Sequence, residues 1–114
     1  MHVSRLGLAV AIGALAVAAF TGAPAMDIES ANIAIKDHLF NPKELHVPAG
    51  KRIILKVDNQ DATAEEFESH ELKVEKVIAG GSTGVVRFGP LEPGRYPFFG
   101  EFNEATAQGV VVAE

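Results

Sequence analysis

The chain contains no cysteine. Disulfides, thiolate metal sites, c-type haem attachment and acylation at a lipoprotein cysteine are therefore excluded, and the folded part must be held by packing alone. Positive charge is also scarce: ten Lys and Arg stand against fifteen Asp and Glu, for a formal net charge of −5. Binding to nucleic-acid phosphates needs a lysine- and arginine-rich surface, so a nucleic-acid partner is excluded, while cations or a basic partner suit the surface. Internal repeats, low-complexity tracts and linkers are missing, and no segment carries a helical hydrophobic period of useful length. No nucleophile and histidine can be paired, which removes a hydrolase reading. A chain of 114 residues fits one domain.

The N-terminus has a composition of its own. One positive charge in Met1 to Arg5 precedes an apolar and small-residue stretch from Leu6 to Phe20, and Ala23-Pro24-Ala25 supplies the small residues of a signal-peptidase site. About 15 apolar residues fall short of the roughly 20 that span a bilayer as a helix, which argues against a retained anchor. Residues 1–25 are expected to be a cleaved signal peptide and 26–114 the mature domain, delivered to the periplasm.

From Met26 onward, short runs with a period of two recur: Ile33 to Ile35, Leu45 to Val47, Ile53 to Val57, Phe67 to Val74, Val85 to Phe88, Tyr96 to Phe99 and Val110 to Val112. Turn signals separate them, among them Asn41-Pro42, Pro48-Ala49-Gly50, Asn59 to Asp61, Gly80-Gly81 and Pro93-Gly94. The pattern predicts an all-β, two-sheet sandwich of about seven strands. Ile53, Leu55 and Val57 share one strand face and Arg52, Ile54 and Lys56 the other, as where one face of a sheet is buried. Phe40, Phe67, Phe88 and Phe98 are expected to fill the core. In Leu91-Glu92-Pro93-Gly94-Arg95-Tyr96, Pro93 presets a turn and the Tyr96 hydroxyl can bond back to the corner backbone, like the tyrosine corner of Greek-key sandwiches.

Carboxylates crowd one strand. Side chains alternate along a strand, so Glu66 and Glu68 share a face while Glu65, Phe67 and Ser69 share the other. With Phe67 in the core, Glu66 and Glu68 form a two-carboxylate row. It is either a cation site or a solvated strand face with unconnected charges.

Several segments, in order, carry a family resemblance: Lys36 to Pro42, Val47-Pro48-Ala49-Gly50, Val57-Asp58-Asn59, Glu65-Glu66-Phe67-Glu68-Ser69 with Glu75-Lys76-Val77, Gly94 to Phe102, and Gly109 to Val112. Over essentially the whole mature chain this order resembles a cupredoxin. More narrowly it is similar to the periplasmic cupredoxin-like proteins of bacterial ferrous-iron transport systems. The resemblance implies a cupredoxin-like Greek-key β-sandwich that binds a metal ion and serves iron uptake, by assisting ferrous iron oxidation in a ferroxidase-like accessory role or by transfer to a permease. An inner-membrane iron permease and a second periplasmic iron-binding protein are the partners it implies.

The departures from ordinary cupredoxins define the chemistry. A blue-copper site needs a cysteine thiolate, two histidines and usually an axial methionine. By the resemblance, Gly100 stands where the cysteine would be, Asn103 where the second histidine would be and Gln108 about where the methionine would be. The strand that supplies the first histidine offers Glu65, Glu66 and Glu68 instead. Hard carboxylates suit iron or copper(II) better than copper(I). The expected ligands are Glu66 and Glu68, joined by Glu101 if the loop after Gly100 lies alongside as in the resembled fold, with His38 as a candidate imidazole. Glu65 and Glu104 are further candidates. Glu75 and Lys76 either orient the site or form a surface ion pair; His46 is an exposed strand residue; His70 and Glu71 lie on an exposed strand or in a bulge. The alternative function is a metal-free, immunoglobulin-like binding or scaffolding domain.

Overall fold

A computed structural model describes residues 27–114; the expected signal peptide lies outside the described residues. Nine strands follow in order: β1 (Ile28–Lys36), β2 (Leu39–Asn41), β3 (Glu44–Val47), β4 (Arg52–Asn59), β5 (Glu65–Ser69), β6 (Val74–Ile78), β7 (Thr83–Phe88), β8 (Gly94–Gly100) and β9 (Gln108–Ala113). A 3-10 turn, Glu101–Asn103, sits between β8 and β9. The strands form two sheets, ordered β2-β1-β4-β7 and β3-β9-β8-β5-β6. β1 runs parallel to β4 and β3 parallel to β9, while the other pairings are antiparallel. The all-β sandwich expected from the alternation is the architecture found.

The core follows from the same alternation. Ile53, Leu55 and Val57 are fully buried, whereas Arg52 and Lys56 of the same strand are exposed. Phe40, Phe67 and Phe98 meet between the sheets. Phe67 and Phe98 stack at 4.8 Å between ring centres, and Phe40 packs edge-on to both, at 5.9 and 4.9 Å. Such offset and edge-to-face arrangements suit the aromatic quadrupoles and add to the gain from burial. The Tyr96 hydroxyl donates to the Glu92 carbonyl at 2.7 Å, closing the corner before β8.

Two strands exceed the expected seven. Asp37 and His38 both adopt left-handed backbone, with φ of 55° and 59°, and make a two-residue hairpin turn between β1 and β2. The Asp61 carboxylate accepts hydrogen bonds from both of their amides, at 2.7 and 2.9 Å, which stabilises a conformation that L-residues seldom adopt. The expected strand Phe67 to Val74 is in fact β5 and β6. Ser69 Oγ donates to the Pro97 carbonyl and accepts from the Leu72 amide, and Lys73 has φ of 60°, so the chain reverses at His70–Lys73. His70 and Glu71 are therefore turn residues rather than strand or bulge residues.

Candidate metal centre

β5 lies between β8 and β6, and its two faces do different work. Phe67 is fully buried on the inner face, with Glu65 and Ser69 beside it. On the outer face Glu66 and Glu68 stand in a row. Glu68 lies directly opposite Glu75 of β6 and Phe99 of β8. The β8 ladder ends where Gly100 faces Phe67, so the next residues leave the sheet as the 3-10 turn. That departure brings Glu101 to the carboxylate row. Ligand oxygens of Glu66, Glu68 and Glu101 lie within 4.8 Å of one another.

The three carboxyl groups are not equivalent. Glu66 is only 7% exposed although it points away from the core. Its pKa is raised from 4.5 to about 7, first by the hydrogen bond it shares with Glu101, then by burial and by a further hydrogen bond with Glu75. Glu68 is also raised, chiefly by its hydrogen bond to Glu101. Glu101, exposed and accepting from both, is lowered. Without a cation the cluster lowers its own repulsion by retaining a proton, as carboxylates sharing one site do.

The neighbourhood includes residues that sequence reasoning placed elsewhere or left open. Glu75 hydrogen-bonds Glu66 and faces Glu68, which puts it at the rim of the site. His70 Nδ1 lies 3.8 Å from Glu68 Oε2, with its ring 5.7 Å from that of Phe99. The signal that could have found His70 was the serine-capped turn at Ser69. His38 is not brought to the carboxylates: its Nδ1 lies 3.5 Å from Asp61 Oδ2, because the hairpin turn pins its backbone there. Glu104 is exposed and outside the group of converging oxygens. His46 lies exposed on β3 beside Glu44 and Glu114.

Glu65 is the residue whose place the sequence did not settle. It is 1% exposed and points into the interior, where its Oε1 accepts from the amides of Glu66 (2.9 Å) and Phe102 (2.8 Å), and its Oε2 from Asn103 Nδ2 (2.7 Å). A Cβ on Gly100 would lie 2.6 Å from Glu65 Cδ, so the carboxyl group occupies space that any side chain at position 100 would need. Gly100 and Asn103, which the resemblance sets at the cysteine and second-histidine positions, thus lie beside Glu65, and the space there holds a hydrogen-bonded carboxyl–amide pair. Gln108 is bonded to the Glu104 carbonyl. Nothing in this interior fits a type 1 copper, which requires a thiolate.

Comparison with known proteins agrees with the architecture. A protein of Rickettsia prowazekii (strain Madrid E), RP394, is 42% identical over 86 residues, covering 75% of this chain and 69% of that one. Auracyanin A, a "blue" copper protein of Chloroflexus aurantiacus, superposes with a TM-score of 0.67 at 15% identity, over 77% of this chain and 100% of that one. The metal-binding domain of the Cu(I)-exporting P-type ATPase CopA of Streptococcus pneumoniae D39 does so with a TM-score of 0.62 at 18% identity, over 81% of this chain and 91% of that one. Both likenesses are of fold alone. A family model described as the cupredoxin-like domain matches residues 8–113, and with the two-sheet sandwich this shows that the chain belongs to the cupredoxin-like domain family.

Proposed function

We propose that the domain binds a transition-metal cation, iron or copper(II), on Glu66, Glu68 and Glu101, and serves bacterial iron uptake from the periplasm by handing the ion to a permease. The convergence of three carboxylate oxygens within 4.8 Å carries this reading. Their hard oxygen donors favour iron, copper(II) or manganese over copper(I), and the charge they concentrate attracts cations. The lack of a thiolate separates the domain from blue-copper electron carriers, even though the solved structures it resembles include one. The role in uptake rests on the resemblance carried by Glu65 to Ser69, Glu75 to Val77 and Gly94 to Phe102, and the periplasmic location on the pattern of residues 1–25.

The test is equilibrium titration of untagged mature protein with Fe(II) under anaerobic conditions, with Cu(II) and with Mn(II), read by calorimetry. One ion per chain is expected, and a Glu66→Gln, Glu68→Gln, Glu101→Gln variant should bind at least a hundredfold more weakly. Equal binding by both proteins would remove the carboxylate site, and no binding by either would leave a metal-free binding or scaffolding domain as the better reading.

A further inference from the structure

Glu65 is adjacent in sequence to the metal site yet faces away from it, and it has the most enclosed carboxyl group beside the site. A buried carboxyl group is retained only where hydrogen bonds replace its lost water. Glu65 has three: one from its own strand, at the Glu66 amide, and two from the 3-10 turn, at the Phe102 amide and Asn103 Nδ2. The Phe102 amide lies in the first turn of a helix, where amides have no partner within the helix. Gly100, the residue at the N-cap, makes no side-chain cap. Glu65 therefore caps the turn from the neighbouring strand.

The site depends on that cap. The β5–β8 ladder ends at Gly100, so strand pairing does not hold Glu101. Within its own loop the chain is closed by the Gly100 amide on the Ala107 carbonyl and by the Thr106 and Ala107 amides on the Asn103 carbonyl, bonds that do not reach β5. Both hydrogen bonds that join the Phe102 amide and the Asn103 side chain to β5 end on Glu65. Gly100 makes room for them, since a Cβ there would also lie 2.7 Å from the Ala107 Cβ.

From this geometry we infer that Glu65 is the positioning residue of the metal site: its carboxyl group clamps the turn to β5 and so sets Glu101 beside Glu66 and Glu68. This role rests on the proposed cation site. Glu65 touches no cation in this account and acts only through Glu101.

A double-mutant cycle separates positioning from a general contribution to folding. The probe is Mn(II), with the free ion measured by electron paramagnetic resonance at 20 °C, for the wild type, Glu65→Ala, Glu101→Gln and the double variant. Circular dichroism of each sample gives its folded fraction. Removing a group that orients a metal ligand weakens binding by about 10- to 100-fold. Each single variant should lose about that much per folded molecule, and the double variant should lose no more than the weaker-binding single. A residue that merely supports the fold would lower the melting temperature and leave the affinity of the folded fraction at the wild-type value. That result, or losses that multiply in the double variant, would overturn the positioning role.

If Glu65→Ala does not fold at 20 °C, Asn103→Ala replaces it in the cycle. Its loss should vanish in the Glu101→Gln background, and wild-type affinity or an undiminished loss there would equally overturn the role. A Glu66→Gln, Glu68→Gln variant that binds Mn(II) like the wild type would overturn the cation site itself, and the role of Glu65 with it.

Discussion

Glu66 holds a proton at a pH where an ordinary carboxyl group has lost it, and this gives the site a pH signature. Its folded-state value of about 7 stands above the ordinary 4.5, so its contribution to stability is fully present below 4.5 and is lost as the pH rises through about 7. Glu101, held low by Glu66 and Glu68, acts oppositely: its contribution is present above the ordinary value and is lost as the pH falls through its lowered one. Between pH 5 and 8 Glu66 acts most visibly, and Glu68, raised as well, acts in the same direction. Metal-free protein should therefore lose denaturant stability across that window, and Glu66→Gln should flatten the slope. Mn(II) affinity should rise over the same range, because the cation displaces the proton. A wild-type slope unchanged in Glu66→Gln would mean that the proton resides elsewhere. The alternation of side chains made the Glu66–Glu68 row readable from the sequence. The same alternation put Glu65 on the core side, but what its buried carboxyl group does there was not readable, because it depends on the space left at Gly100 and on donors 37 and 38 residues away.

At the scale of elements, connections decided what could be read in advance. The corner before β8 was legible because Pro93, Gly94 and Tyr96 each carry a conformational reason to be there. Tyr96→Phe removes one hydrogen bond, from the half-buried Tyr96 to the carbonyl of the exposed Glu92, and should destabilise by about 0.5–1.5 kcal/mol in chemical denaturation while leaving metal affinity per folded molecule unchanged. A parallel loss of affinity would show that the corner reaches the site. The hairpin turn at Asp37-His38 was not legible. Neither residue is a glycine, and the Asp61 carboxylate that supports their left-handed backbone comes from another connection. The same turn explains why His38 is paired with Asp61 and not with the glutamates. The reversal after Ser69 stayed hidden because the change of face between Phe67 and the pair Leu72 and Val74 is equally what a bulge within one strand would produce.

At the scale of the whole molecule, a sandwich of the cupredoxin-like domain family packs an aromatic core, and beside it the Glu65 carboxyl group and the Asn103 amide are hydrogen-bonded to each other next to Gly100. Copper(II) added to the mature protein should give no intense absorption in the red part of the visible spectrum, because that band requires a copper–thiolate bond and the chain has no cysteine. A strong band there would contradict the account of the interior.

The central claim, that Glu66, Glu68 and Glu101 hold one cation, is tested most directly by the thermal midpoint with and without metal. A ligand bound only by the folded state at a hundredfold excess over its dissociation constant adds about 2.7 kcal/mol. Each kcal/mol moves the midpoint of a domain this size by about 4–8 °C, so saturating metal should raise the wild type by roughly 10–20 °C. Glu66→Gln, Glu68→Gln, Glu101→Gln should lose nearly all of that shift and melt, metal-free, at or slightly above the wild type, since the empty cluster repels itself. A Glu29→Gln, Glu92→Gln, Glu114→Gln control, with the same change of charge elsewhere, should keep the full shift. If both triple variants respond to metal as the wild type does, the three carboxylates are a solvated strand face and the claim is wrong.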